Sequence, residues 1–441
     1  MTIRLRHLVN LGPKPQRGFP EGFEVSFAPM EAVKDGLGGL SEMDVRPAAQ
    51  LASGSYNYFE NGDILLAKVT PCFENGKKAL AAGLENGAGY ATSEVHVIRP
   101  KRSKIEPRFL LYLLSAEDFR AEGMASMTGA GGLRRVSEAA ILNYRPKVTD
   151  LTTQKVIADF LDRETARIDQ LIEKKRRFVD VLGRKWAATI TYTLTNGLDA
   201  DAPRKDSGVS WIGDVPEHWS VAKLGHIGRC ANGINIPGDA FGSGFPFVSY
   251  GDVYRNSELP NSVDGLVQST AEDRVRYNLK KGDVLFTRTS ETIDEIGFSS
   301  VCMQEMPEAV FAGFLIRFRP VKRKLFPAFS KFLFRDDRLR AFFLKEMMIV
   351  TRASLSQGLL QRMPVVLPPL EEQQSIADYL QRKESVFMSV SEKTKTSIDR
   401  LREYRAALIT AAVTGQIDVT TYGNQGATDR TLDRIEEEMQ T

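Results

Sequence analysis

The sequence predicts an α+β protein written twice, with two similar α+β domains, each followed by a long helix, and the two helices forming a coiled coil. Three observations predict it. Short segments recur in order at a nearly fixed offset. Each copy opens with short β-type runs broken by Gly, Pro and Asn. Each copy closes with a long stretch that contains no proline and carries a heptad pattern.

The repeat carries the most weight. Asn61-Gly62-Asp63-Ile64-Leu65-Leu66-Ala67-Lys68 is answered by Lys281-Gly282-Asp283-Val284-Leu285-Phe286-Thr287-Arg288, with Gly62 and Gly282 220 residues apart. Arg99-Pro100 and Pro107 return at the same offset as Arg319-Pro320 and Pro327. Gln154, Ile157-Ala158-Asp159-Phe160-Leu161 and Arg163 return 219 residues later as Gln373, Ile376-Ala377-Asp378-Tyr379-Leu380 and Arg382, and Leu5 and His7 pair with Leu224 and His226 at that offset. Solenoid periods are only about 20 to 50 residues. The chain is therefore two large related units, with an internal pseudo-two-fold repeat.

Within each copy the first part has strand signals. Asp63–Ala67 and Glu94–Ile98 are apolar runs bounded by turn residues, and Gly282–Phe286 and Phe314–Phe318 repeat them. Pro107 and Pro327 suit a first helical turn and open apolar helices. From Thr152 to Leu194 there is no Pro, and Gly183 is the one Gly. Leu161, Ile168, Lys175 and Leu182 mark one heptad position, with Lys175 the exception. Leu380, Phe387, Thr394, Leu401 and Leu408 mark it in the second copy. A sustained seven-residue repeat is a coiled-coil seam, and about 40 residues give a rod of roughly 60 Å. The alternative reading is two amphipathic helices packed on their own domains. The expected division is 1–150 and 220–369 for the two domains, 151–197 and 370–417 for the helices, 198–219 for a linker, and 418–441 for a polar, acidic tail that is disordered or loosely helical.

Composition narrows the class. The chain has 441 residues, 42% hydrophobic and 26% charged, with a formal charge of +3. That balance is globular and does not by itself announce a nucleic-acid binder. No stretch approaches the roughly 20 apolar residues of a membrane helix. The opening Met1-Thr2-Ile3-Arg4-Leu5-Arg6 has no apolar core of a signal peptide, so a cytoplasmic protein without membrane contact is expected. Cys72, Cys230 and Cys302 form no CxxC pair, and the four histidines lack metal-ligand spacing. There is neither a GxxxxGK[ST] phosphate loop nor an Asn-Pro-Pro-aromatic tetrapeptide. The residues alone leave three classes open: a DNA-binding module, an enzyme with unrecognised motifs, and a scaffold whose heads bind no DNA.

Three segments then suggest a family. Ser210-Trp211-Ile212-Gly213-Asp214-Val215-Pro216-Glu217-His218-Trp219, with Lys223-Leu224-Gly225, precedes the second domain. Leu367-Pro368-Pro369-Leu370-Glu371-Glu372-Gln373-Gln374-Ser375-Ile376-Ala377-Asp378-Tyr379-Leu380 opens the second helix, and Phe160-Leu161-Asp162-Arg163-Glu164-Thr165-Ala166-Arg167-Ile168-Asp169-Gln170-Leu171-Ile172 lies in the first. Over nearly its whole length the chain resembles the specificity subunits of type I restriction–modification enzymes. Copy one departs at its helix opening, Val148-Thr149-Asp150-Leu151-Thr152-Thr153-Gln154, which lacks the double proline and acidic pair and is expected to loosen that junction.

The resemblance implies two target-recognition domains, each reading half of a bipartite site in double-stranded DNA, and helices that pair antiparallel and set the spacing. It implies two methyltransferase subunits docked on one such chain, with restriction subunits joining them. It also implies no catalysis in this chain and no cofactor of its own, S-adenosylmethionine and ATP residing on the partners. The candidate DNA-contacting residues are Lys68 and Arg288 after the Gly-Asp turns, Arg134, Arg135 and Arg352 in late loops, and Lys77 and Lys78. Arg can grip guanine bidentately, whereas Lys more often meets phosphate; the bland alternative for each is a solvated surface charge. Thr128-Gly129-Ala130-Gly131-Gly132 reads either as a loop for close backbone approach to DNA or as a plain surface loop.

Overall fold

The computed structural model describes residues 2–16, 18–34, 39–129, 132–289, 295–347, 354–424 and 426–440. Copy one begins with β1 (Val9–Leu11), β2 (Glu24–Ala28), β3 (Asp44–Pro47), α1 (Ala48–Ala52), β4 (Asn57–Glu60), β5 (Ile64–Ala67), β6 (Lys78–Leu80), β7 (Ala88–Ala91) and β8 (Val95–Pro100). The strands make two sheets, ordered β1-β8-β5-β6 and β3-β2-β7-β4. β5 is buried along its whole length, which explains its unbroken apolar run. Its side chains alternate: Ile64 and Leu66 enter the core shared with the helices, and Leu65 packs with Ala79, Val95 and Val97 between the sheets. Then come α2 (Pro107–Leu113), α3 (Glu117–Ala125), α4 (Glu138–Asn143) and the 46-residue α5 (Leu151–Asn196). Pro107 fills the first turn of α2 and Glu106 caps it, its Oε2 accepting from Phe109 N at 2.6 Å.

Copy two runs β9 (Arg204–Asp206), β10 (Asp214–Pro216), β11 (Ser220–Lys223), α6 (Leu224–Ile227), β12 (Gly228–Asn232), β13 (Phe241–Val248), α7 (Tyr250–Arg255), β14 (Leu266–Val267) and α8 (Ala271–Arg276). It continues with β15 (Val284–Thr287), β16 (Ser299–Val301), β17 (Val310–Phe311), β18 (Leu315–Pro320), α9 (Pro327–Leu333), α10 (Asp337–Met347), α11 (Gln357–Arg362), β19 (Pro364–Leu367) and the 45-residue α12 (Leu370–Thr414). α13 (Val419–Asn424) and α14 (Ala427–Gln440) follow. The sheet β12-β18-β15-β16 repeats the order of β1-β8-β5-β6. The parallel pair β2·β7 recurs as β13·β17.

Two buried polar constellations are also duplicated. Asp63 takes two hydrogen bonds from Arg99 at 2.9 and 2.7 Å, and Asp283 two from Arg319 at 2.7 and 2.6 Å. Gln154, fully buried, accepts from Glu106 N at 2.8 Å and donates to Thr149 O at 2.8 Å; Gln373 accepts from Phe326 N at 2.8 Å and donates to Pro368 O at 2.9 Å. Each amide ties the start of a long helix to the loop before α2 or α9. A buried polar group without partners is costly, so the same residue types persist in both copies.

The chain divides into two compact units, Met1–Arg177 with Lys393–Thr441, and Phe178–Glu392. In the first, Leu161, Ile168, Leu401 and Leu408 are buried in one core. Asp169 meets Arg405 at 3.0 Å, and Gly415 lies beside Lys147 just before α5, so α5 and α12 run antiparallel. In the second, Trp186 stacks on Phe387 at 5.8 Å and Gly197 lies against Glu372, the same antiparallel sense. Leu380 is fully buried, while Leu182 and Phe387 are half-buried. The heptad exception Lys175 is buried and pairs with Glu436 at 2.7 Å.

Three expectations are corrected. The stretch taken as a linker contains the β9–β10 hairpin and ends at the buried Trp219, whose indole N–H donates to Glu372 at 2.9 Å. The tail is helical and packed, because Leu432 and Ile435 fall on one face and join the first unit's core. The helix opening without prolines is capped instead by Asp150, which accepts from Thr152 N and Thr153 N at 3.0 Å each. Those bonds, led by that from the Thr153 hydroxyl, lower the Asp150 pKa.

Candidate nucleic-acid interface

The candidate surface is built outward from the Gly-Asp turns. Gly62 has φ +94° and Gly282 φ +91°, conformations that a side chain strains. The following aspartate locks each turn: Asp63 accepts from Glu60 N at 2.8 Å, and Asp283 from Lys280 N at 2.8 Å. β5 and β15 then run straight to Lys68 and Arg288, whose backbones are held alike. Lys68 N donates to Glu94 O at 3.0 Å, and Lys68 O accepts from Val136 N at 2.9 Å. Arg288 N donates to Phe314 O at 2.9 Å, and Arg288 O accepts from Leu355 N at 2.9 Å.

Beside Lys68, Arg134 and Arg135 return on a bridged segment. Thr70 N donates to Arg134 O at 2.9 Å, and Arg135 exchanges backbone bonds with Thr128 at 2.9 and 3.1 Å. The turn between them needs glycine at 129: φ is +150°, and a Cβ there would lie 2.2 Å from Leu133 O. Ala130 and Gly131 of that loop lie outside the described residues. Arg134 pairs with Glu74 at 3.2 Å, and Arg135 grips Glu94 bidentately at 3.0 Å twice. Both arginines are about half exposed. The Arg135 bond, with Lys68 nearby, holds the Glu94 carboxyl below the usual carboxylate range. Behind them, His96 is buried with Nε2 3.2 Å from Val136 O, and burial lowers its pKa. The neutral ring thus ties β8 to the arginine segment.

This surface presents guanidinium forks already satisfied by carboxylates. A phosphate or a guanine edge offers the same kind of paired acceptors as these carboxylates. Among the described residues Lys68 enters no ion pair. Lys77 is half-buried just before β6, its carbonyl accepting from Ala67 N at 3.0 Å.

Two candidates fare differently. Lys78 is 3% exposed, and its ammonium donates inward to Gly76 O at 3.2 Å. Burial, with Arg405 and Arg120 nearby, pushes its pKa down to about 7. Lys78, the first residue of β6, is therefore buried and leaves the candidate surface. Arg352 lies outside the described residues.

The sequence reading missed Phe314. It is 63% exposed, holds the place of Glu94 in copy two, and adjoins Arg288. Its signal was an aromatic residue at the offset position of a carboxylate. Arg288 Nε is buried without a hydrogen-bond partner among the described residues.

The chain is 30% identical over 199 residues to the type I restriction enzyme EcoEI specificity subunit of Escherichia coli, covering 45% of this chain and 33% of that one. To the EcoAI specificity subunit of Escherichia coli it is 33% identical over 178 residues, covering 40% and 30%. The matches thus span about a third of the length of these relatives. A chain solved in work on complex assembly and conformational transition of the type I R-M system superposes with a TM-score of 0.74 at 17% identity, covering 95% of this chain and 98% of that one. That likeness concerns the fold. A family model described as the type I restriction modification DNA specificity domain matches residues 48–177 and 216–400, and both matches fall on the duplicated halves. The chain therefore belongs to the type I restriction modification DNA specificity domain family.

Proposed function

We propose that the chain is the specificity subunit of a type I restriction–modification complex. Each α+β domain, in residues 1–150 and 220–369, reads one half of a bipartite duplex site. The helices at 151–197 and 370–417 set the spacing and dock two methyltransferase subunits, and restriction subunits join that core. Methyl transfer from S-adenosylmethionine and ATP-driven cleavage belong to those partners, and this chain is not an enzyme. It works in the cytoplasm, where the genomic duplex is.

The observation that carries the reading is the duplicated strand end. A rigid Gly-Asp turn, locked by an arginine, delivers Lys68 in one copy and Arg288 in the other to equivalent backbone positions. Lys68, Lys77 and Arg134 suit phosphate, which fixes register. Arg135, Arg288 and Arg352 suit base edges, where a bidentate pair discriminates by about 1–3 kcal/mol. Phe314 joins them as an apolar contact. Fluorescence anisotropy with duplexes that do and do not carry the bipartite site tests the reading, using the chain assembled with its methyltransferase partners. Selective binding that weakens steeply with salt is expected. Equal binding to all duplexes at every salt concentration would reject it.

A further inference from the structure

One turn is built alike in both units and carries different chemistry at its corner. In the first, Val95 N donates to Thr92 O at 3.3 Å and closes the turn 92–95, with Glu94 at its third position. In the second, Leu315 N donates to Ala312 O at 3.0 Å, and Phe314 takes the third position. The strand end beside each turn holds that residue's carbonyl: Lys68 N donates to Glu94 O, and Arg288 N to Phe314 O. The second turn is fixed on its other side as well. Ala312 N donates to Val248 O at 3.0 Å, and Gly313 has no room for a side chain beside Asn235.

The partner changes with the corner. In copy one Arg135 grips Glu94, and its backbone is bridged to Val69. In copy two the matching bridge joins Thr289 to Ser354, so Ser354 stands where Arg135 does. Carboxylate and guanidinium give way together to a phenyl ring and a hydroxyl. The ring of Phe314 is 63% exposed and meets no other aromatic ring or cation among the described residues. A turn pinned on both sides thus holds an apolar side chain out in water, beside an arginine.

We propose that Phe314 reads the 5-methyl group of a thymine, at or beside the base pair that Arg288 grips. This rests on the DNA-reading role proposed above and names the base. In the major groove thymine presents a methyl group, and apolar side chains contact it. Hydrogen-bonded neighbours on adjacent strands lie about 4.8 Å apart, and successive base pairs about 3.4 Å apart. Phe314 and Arg288 therefore address the same or adjoining base pairs. A carboxylate at that corner accepts from the cytosine amino group instead. The two domains thus differ at one equivalent position: copy two selects a methyl group where copy one offers an acceptor.

The test uses the chain assembled with its methyltransferase partners and a duplex carrying its methylated motif. Each thymine of either half-site is exchanged singly for deoxyuridine, which keeps the base pair and loses the methyl group. In one half, one exchange is expected to weaken binding about fourfold, the worth of one buried methyl group. Phe314→Ala should weaken binding of the thymine duplex by a similar factor and make the two duplexes equal, while Phe314→Leu keeps part of the difference. Val321→Ala, 55% exposed beyond the far end of β18, should leave the difference intact. Circular dichroism confirms that the variants fold. The proposal is overturned if no exchange weakens binding, if the effect survives Phe314→Ala, or if Val321→Ala removes it as well. Release of the methyltransferase partners by Phe314→Ala, with thymine and deoxyuridine still told apart, would also overturn it, since the ring would then face a protein. Binding that prefers the motif over unrelated duplexes while every exchange is neutral rejects the thymine contact and leaves the DNA-reading role in place. Loss of that preference in the native chain rejects both.

Discussion

Replacing Lys78 with methionine should stabilise the first unit near neutral pH. The side chain is 3% exposed, has one carbonyl partner at 3.2 Å, and lies near Arg405 and Arg120. Its pKa falls from 10.5 to about 7. The unfolded chain therefore binds more protons than the folded one between about pH 7 and 10.5, and stability rises with pH through that window. Each pH unit is worth at most about 1.4 kcal/mol. At pH 7 burial of the amine costs at most about 4 kcal/mol, and removing it also forfeits a hydrogen bond of about 1 kcal/mol. Lys78→Met should then gain on the order of 2–3 kcal/mol at pH 7, and the gain should shrink as pH approaches 10. Hydrogen exchange of peptides spanning β5 and β6, followed by mass spectrometry at pH 7 and 9, measures it. All three tryptophans lie in the second unit, so their fluorescence does not report on the site of the change. A pH-independent difference, or a variant less stable at pH 7 than at pH 9 relative to the native chain, would show that the buried amine does not carry this cost.

Asp283→Asn leaves Arg319 without its buried carboxylate partner and should cost roughly 3 kcal/mol, read as an earlier tryptophan transition on urea unfolding. Lys68→Ala with Arg134→Ala should lower the slope of log K against log salt for duplex binding by about 0.9 per residue, with little change in sequence preference. His96, whose pKa is lowered by burial, makes the first unit lose stability as pH falls below about 6.5; His96→Gln should flatten the transition temperature between pH 7 and 5.

The repeat was legible because its marks are the least replaceable residues. Asp63 with Arg99, and Gln154 with two backbone segments, satisfy buried polar groups, and their partners reappear at the same offset. The helices were legible from Leu161, Ile168, Leu401 and Leu408, which the heptad puts on one stripe. What stayed hidden depends on distant partners. Nothing local pairs Arg135 with Glu94, 41 residues away. The tail's polar majority masked Leu432 and Ile435, whose burial depends on α5. Lys78 was hidden in the same way: it opens β6, and the groups near its buried ammonium, Arg120 and Arg405, are distant in sequence.

In the proposed role the two domains read separate halves of one site. Sequencing of methylated adenines across a genome carrying this chain and its partners, with and without Arg288→Ala, tests it most directly. Relaxed or altered bases are expected in one half of the methylated motif, with the other half and the spacing unchanged. A change in both halves, or in neither, would contradict it.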